Sequence, residues 1–153
     1  MTVDSGTAAW EIDLHAARAW PASVTEEAGG WLLRHTPGLA RNRTSSALPL
    51  TEGVPELGPM EEFYRAHGVP PRVQVSPRER LAELDALLAD RGYELRTETV
   101  VLRAAAEDVV AATADAAAKV EVGVATEPGP WSGVFAELDG RADSGLVAER
   151  IIS

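Results

Sequence analysis

The sequence predicts an α/β fold of the mixed α+β kind, in which a mixed sheet is flanked by helices. Segments with apolar residues at helical spacing alternate with short runs rich in β-branched residues, and Gly or Pro separates most of them. The predicted order is helix, hairpin, helix, strand, helix and strand, which is typical of a sheet covered by helices. Strands separated by single helices usually pair in parallel, so we expect parallel pairing beyond the hairpin.

The composition fits one compact core and excludes several classes of function. The chain has 153 residues, of which 45% are hydrophobic. Its formal net charge of -10 disfavours nucleic acids and anionic membranes as partners and favours cationic partners such as amines. The absence of cysteine excludes disulfides, thiolate metal sites and cysteine nucleophiles. The sequence has neither a membrane-spanning apolar run nor a secretion signal, so we expect a cytoplasmic protein.

The first predicted elements are a helix and a hairpin. Residues 8–20 carry apolar side chains at helical spacing, and Pro21 ends this helix. Gly29-Gly30 opens a short strand at Trp31–His35. A turn at Pro37-Gly38 then brings residues 40–48 back as a second strand, which gives the hairpin one polar face.

Two helices and two strands are predicted in the middle of the chain. A helix runs from Pro59 to His67, and the next one begins at Ser76-Pro77 and carries a stripe of leucines. Residues 72–75 alternate as a strand between these two helices. Residues 93–103 form the clearest strand of the sequence, because Val100, Val101 and Leu102 lie at its centre.

Alanine dominates the following stretch, and helices end the chain. Residues 104–119 predict a loop with a short helix, and residues 120–125 alternate like a strand. The breakers Pro128-Gly129-Pro130 precede a helix at residues 131–138. A final helix is predicted at residues 144–152, and its apolar positions need a surface to pack against.

Several motifs in a fixed order resemble the GNAT superfamily of N-acetyltransferases, from Trp20 to Arg141. The resemblance is to proteins in which two GNAT-like halves are joined in one chain, with acetyl-CoA bound by the C-terminal half. The motifs are Ala19-Trp20-Pro21, Gly30-Trp31-Leu32-Leu33-Arg34, the run 43–50 (RTSSALPL), Glu62-Phe63-Tyr64-Arg65, Gly68-Val69-Pro70, Leu84-Asp85-Ala86-Leu87-Leu88, Arg91-Gly92-Tyr93 and Leu138-Asp139-Gly140-Arg141.

This resemblance implies a division of the chain into two parts. Residues 1–127 correspond to an N-terminal GNAT-like domain without a cofactor site. Residues 128–153 correspond to a linker and the first helices of a truncated C-terminal GNAT domain. We therefore expect the chain to be one half of a larger enzyme, inactive by itself, whose full-length parent uses acetyl-CoA.

The motif that would bind acetyl-CoA is not recognisable in this sequence. The resemblance implies a turn of the form Arg/Gln-x-x-Gly-x-Gly/Ala at the start of a helix, where backbone N–H groups hold the pyrophosphate. The nearest match is the run from Arg65 to Pro70, which is predicted to end a helix, and Pro70 has no N–H to donate. We therefore assign no cofactor-binding residue.

The hairpin carries the candidate substrate-binding residues. Arg34, Arg41 and Arg43 are predicted on its two strands with Ser45 beside them, where they would line a cleft facing the missing half and bind a polar or anionic part of the substrate. Ser45 stands where the resembling proteins usually have Asn. The alternative is a solvated hairpin face whose arginine stems pack on Trp31, and the sequence favours this alternative.

No catalytic residue and no metal ligand are assigned. Glu61, Glu62 and Tyr64 are interpreted as a solvated helix face, because the general base and acid of acetyl transfer belong in the cofactor-bearing half. The three histidines are interpreted as surface or helix-end residues, since they show no ligand spacing; they are His15, His35 and His67.

Three functions remain open from the sequence. The first is the non-cofactor half of an N-acetyltransferase, with a small-molecule or peptide amine as acceptor and the missing C-terminal half as partner. The second is a stand-alone cofactor-free module for binding or dimerisation, with a second copy as partner. The third is a small enzyme of another class that uses the Arg-rich hairpin, which no nucleophile–base pair supports.

Overall fold

The computed structural model describes residues 5–39, 41–121, 123 and 127–147. These residues form a mixed α+β fold with six α-helices and a three-stranded antiparallel sheet, which confirms the predicted fold class. Half of the strand predicted at 120–125 (residues 122, 124 and 125) and the last residues of the helix predicted at 144–152 lie outside the described residues. None of the helices between Ser5 and Val147 is both long and apolar enough to cross a bilayer.

The local signals of the sequence predict the bounds of the helices more closely than those of the strands. Two short 3-10 turns lie at Asn42–Thr44 and Arg78–Arg80. The strands are β1 (Val24–Ala28), β2 (Trp31–His35) and β3 (Leu48–Pro49), and the helices are α1 (Ser5–Ala19), α2 (Leu57–Ala66), α3 (Ala82–Asp90), α4 (Ala106–Ala117), α5 (Pro128–Asp139) and α6 (Ser144–Val147).

The sheet has the order β1-β2-β3, with both pairs antiparallel. In the first pair Val24 lies opposite His35 and Ala28 lies opposite Trp31. The connection is the two-residue turn Gly29-Gly30, in which φ is +57° and +83°. A hairpin turn with two positive φ angles favours glycine at both positions. A Cβ on Gly29 would also lie 2.9 Å from the Cγ of Pro59, so this turn sets how closely α2 approaches the sheet.

The predicted pairing of β2 was wrong in two respects. Its main partner is the preceding strand, β1. Of the returning segment, whose described residues are 41–48, only Leu48 pairs with β2, and Pro49 completes β3. The polar residues before β3 form a 3-10 turn, in which the Ser46 hydroxyl donates to the Asn42 carbonyl at 2.5 Å. Such local side-chain bonds compete with the ladder of a sheet. Among the described residues, the expected parallel pairing is reduced to a single bridge between Ala47 and Val73.

The strand predicted at residues 93–103 is also wrong. This segment has no regular secondary structure, and Val100 is 78% exposed and Leu102 is 87% exposed. Strand propensity describes how well a side chain fits a half-buried pleated surface, and this stretch lies against no such surface within the described residues. The next element, α4, is longer than the predicted short helix and is exposed along its length.

The core lies between β2 and the helices α2 and α3. Trp31 of β2 is fully buried and packs with Phe63 of α2 and Leu84 of α3, as predicted for these three residues. The prediction of Trp20 as core holds only in part, since it is half-buried, with its ring centroid 6.3 Å from that of Phe135 in α5. The other buried members of the core are Leu33, Ala47, Leu57, Met60, Tyr64, Leu81 and Leu88.

Amide hydrogen exchange distinguishes the observed backbone of residues 97–103 from the predicted strand. Because these residues make no ladder hydrogen bonds, we expect their amides to exchange close to the rate of an unfolded chain. The amides of Trp31 to His35 serve as the internal reference and are expected to be strongly protected. Protection of residues 97–103 comparable to that of β2 would contradict the observed fold of this segment.

Candidate functional site

The four predicted substrate-binding residues do not form one solvent-facing strip. Arg34 lies on β2, but Arg41, Arg43 and Ser45 lie in or beside the 3-10 turn Asn42–Thr44, so their predicted position on a strand was wrong. Arg34 and Ser45 are buried, Arg41 is largely enclosed in an ion pair, and Arg43 is exposed. That these four residues contact a substrate stays a prediction.

Arg34 is 3% exposed, and neutral groups hold its guanidinium. Its Nε donates to the Ser46 carbonyl at 3.1 Å, and one Nη donates to the Ser46 hydroxyl at 2.8 Å and to the Gln74 Oε1 at 3.1 Å. Burial lowers the pKa of Arg34, although an arginine remains protonated at any pH at which a protein is folded. The cation is thus removed from water but keeps hydrogen-bond partners, which is the condition for burying a charge.

The hydrogen-bond chain continues from Arg34 to the first helix. The Gln74 Nε2 donates to the Asp13 Oδ1 at 2.7 Å, so one amide joins a buried cation to a buried carboxylate. Neither Gln74 nor Asp13 was predicted from the sequence as part of a site. A signal was present for Asp13, because it shares a helix face with Trp10 and Ala17 and is the one charged residue of these three. Gln74 gave no comparable signal.

Tyr64 fixes the backbone of the same strand position. Its hydroxyl donates to the Arg34 carbonyl at 3.1 Å and accepts from the Arg34 N–H at 3.5 Å. The interpretation of Tyr64 as part of a solvated helix face was wrong, because the side chain is fully buried among core residues. Burial raises the pKa of Tyr64 to about 12, so the hydroxyl keeps its proton and continues to donate at neutral pH.

Arg41 joins the C-terminal helices to the rest of the fold. Its Nε donates to the Asp143 carboxylate at 2.9 and 3.0 Å, and one Nη lies 2.5 Å from the Asp139 Oδ2. Ser144 also donates to Asp139. Hydrogen bonds from Arg41 and then Ser144 lower the pKa of Asp139 to about 2, and Arg41 also lowers the pKa of Asp143. A planar guanidinium suits two carboxylates at once, which explains an arginine at this position.

The histidines differ from the prediction at one position. His15 and His67 are exposed, but His35 is buried and its ring lies 4.8 Å from the ring of His67. Burial and then the neighbouring His67 lower the pKa of His35, so the ring is neutral at pH 7. Among the described residues, no group of three or more His, Cys, Asp or Glu side chains is placed to hold a metal ion.

The run that comes nearest to an acetyl-CoA turn ends a helix, as predicted. The helix α2 stops at Ala66, and Gly68 follows with a φ of +68°. The N–H groups of His67, Gly68 and Val69 all donate to carbonyls of α2 itself. They are therefore engaged within the chain and do not form an anion-binding turn.

Comparison with protein families places the chain in a family related to acetyltransferases. Residues 9–142 match the family described as "Probable histone acetyltransferase Rv0428c C-terminal", and the chain belongs to this family. The acetyltransferase relationship predicted from the motifs is thereby confirmed. No curated protein and no solved structure matches the chain. The assignment to the tandem GNAT type, the N-terminal position in a larger protein and the boundary at residue 127 stay predictions.

Replacing Arg34 or Arg43 by alanine separates the structural arginine from the exposed one. Arg34→Ala leaves acceptors on Ser46 and Gln74 without their donor, so we expect the free energy of unfolding to fall by about 2–4 kcal/mol. Arg43→Ala is expected to change it by no more than about 0.5 kcal/mol. Urea denaturation followed by circular dichroism measures both, and equal losses for the two variants would contradict the described network.

Proposed function

We propose that this chain is the non-cofactor part of a GNAT-type N-acetyltransferase and acts as its scaffold and as one wall of the acceptor cleft. The parent enzyme transfers an acetyl group directly from acetyl-CoA to an amine. The amine nitrogen attacks the thioester carbonyl, the carbon–sulfur bond breaks, and the thiolate leaves as the amine loses a proton. Membership of a family described as histone acetyltransferase-related supports this reaction class.

The scaffold role is supported by the Arg34 network, which is the observation that carries the proposal. Tyr64 joins β2 to α2 by its hydrogen bond to the Arg34 backbone. Gln74 joins the Arg34 side chain to the segment whose Val73 bridges Ala47, and it also bonds Asp13 of α1. The chemistry of acetyl transfer requires the amine, its general base and the thioester to meet in one place. We therefore assign proton transfer to the cofactor-bearing part of the parent.

The nature of the acceptor is supported by charge. The family description names histones, which are cationic, and the net charge of -10 favours a cationic amine over an anionic substrate. Arg43 is the exposed member of the four candidate substrate-binding residues, with Arg34 and Ser45 buried. In this proposal Arg43 is the member positioned to contact a carbonyl or another acceptor group of the substrate.

Calorimetric titration with acetyl-CoA tests this division of roles. The 153-residue chain is expected to give no saturable heat of binding, because the run 65–70 ends a helix and its N–H groups are already engaged. The parent protein is expected to bind acetyl-CoA and to acetylate a lysine peptide. Saturable binding of acetyl-CoA by the 153-residue chain would contradict the proposal.

A stand-alone dimerisation module is favoured by one observation on α5. Trp131, Val134 and Leu138 lie at i, i+3 and i+7 and are exposed, Leu138 to 82%, so one face of this helix is apolar and open. Light scattering of the purified chain tests this function. A dimer that Leu138→Lys dissociates and Thr113→Lys on α4 leaves intact would support it, whereas a monomer at high concentration would contradict it.

A further inference from the structure

A pocket of about 190 Å³ lies between Trp10 of α1, residues 49–52 and residues 76–81. The acetyl-transfer role proposed above assigns no function to it. Its walls are mainly apolar: Trp10, Pro49, Leu50, Pro77 and Leu81.

Apart from the hydroxyls of Thr51 and Ser76, the walls of this pocket offer little to a polar group. The Trp10 Nε1 already donates to the Pro49 carbonyl at 3.2 Å. Pro49 and Pro77 have no backbone N–H. The indole and the two proline rings therefore present apolar surface, and an occupant gains by burying carbon atoms there.

The volume of the pocket suits one side chain of a larger ligand. Pockets for drug-sized molecules begin at roughly 300 Å³, so about 190 Å³ is too small for a coenzyme or for most whole metabolites. A single leucine or phenylalanine side chain is of the appropriate size. The occupant is thus best described as an apolar residue of a peptide.

Charged groups at the rim continue the pocket into a groove. Glu52, whose side chain is 83% exposed, pairs with Arg80 at 2.6 Å on one edge. A neighbouring hollow shares Arg80 and Leu81 with the pocket and is also lined by Glu79 and Glu83. Three carboxylates against one guanidinium make the groove acidic. A positively charged residue next to the apolar one would therefore be attracted.

We propose that this groove binds a cationic peptide segment in which an apolar residue enters the pocket and an adjacent lysine lies over Glu79 and Glu83. The inference rests on the proposed function only in the role given to the peptide. In that role, the bound segment belongs to the acceptor and lies next to the amine that receives the acetyl group. Binding itself requires no acetyl-CoA and is measured separately.

Fluorescence anisotropy with defined peptides tests the binding. The probe is a fluorescein-labelled decapeptide of glycine and serine that carries one leucine followed by one lysine. We expect saturable binding, weakened about tenfold when serine replaces the leucine and about threefold when glutamate replaces the lysine. Equal binding of all three peptides, or no saturation up to about 1 mM, would overturn the proposal.

Two variants locate the bound peptide on the protein. Thr51→Trp fills the pocket from an exposed rim position and is expected to abolish binding, and Glu83→Gln is expected to weaken it about threefold. Glu62→Gln on α2, which lines neither hollow, is the matched control and should leave binding unchanged. Thermal unfolding confirms that each variant is folded, and unaffected binding by both groove variants would overturn the proposal.

The outcomes for the two proposals are separable. If the parent enzyme acetylates free amines but does not bind the labelled peptide, the proposed peptide groove is overturned and the acetyltransferase assignment stands. Peptide binding together with saturable acetyl-CoA binding by the 153-residue chain would support the groove and overturn the proposed division of roles.

Discussion

Burying a guanidinium without losing its hydrogen bonds is the constraint on which the rest of this fold depends. An unpaired buried charge costs so much free energy that the guanidinium of Arg34 needs hydrogen-bond acceptors within reach. Ser46 and Gln74 provide those acceptors, and Asp13 is drawn in through Gln74. The positions of the 3-10 turn, of the bridge to Val73 and of α1 on the sheet therefore depend on one side chain.

The opposite face of β2 is held by packing. Trp31 and Leu33 contact α2 and α3 there, and Tyr64 links this apolar core to the polar network because its ring is in the core and its hydroxyl bonds the Arg34 backbone. Hydrophobic burial is non-directional, so it brings the helices against the sheet without setting their exact register. The directional bonds of Tyr64 and Arg34 provide that register.

A second arginine, Arg41, has a different structural role. Between α3 and α5 the described residues are mostly exposed, so the chain reaches α5 with few contacts to the core on the way. Joining such distant segments has an entropic cost that specific contacts must offset. Arg41 provides them through Asp139 and Asp143, and Trp20 adds a ring contact with Phe135. Two of the arginines that the sequence suggested for substrate contact are thus bound by other parts of the chain, while Arg43 is the one exposed to solvent.

The sequence by itself determined the presence of most helices, the fold class and the acetyltransferase relationship. Helices depend on neighbours within four residues, so the periodicity of α1, α2 and α5, with the stop at Pro21, was readable locally. Only the tertiary structure decided which segment pairs with β2, that residues 97–103 form no strand, and that Tyr64 and His35 are buried. Strand pairing, burial and the partner of a charged side chain all depend on residues far apart in the chain, which local patterns do not specify.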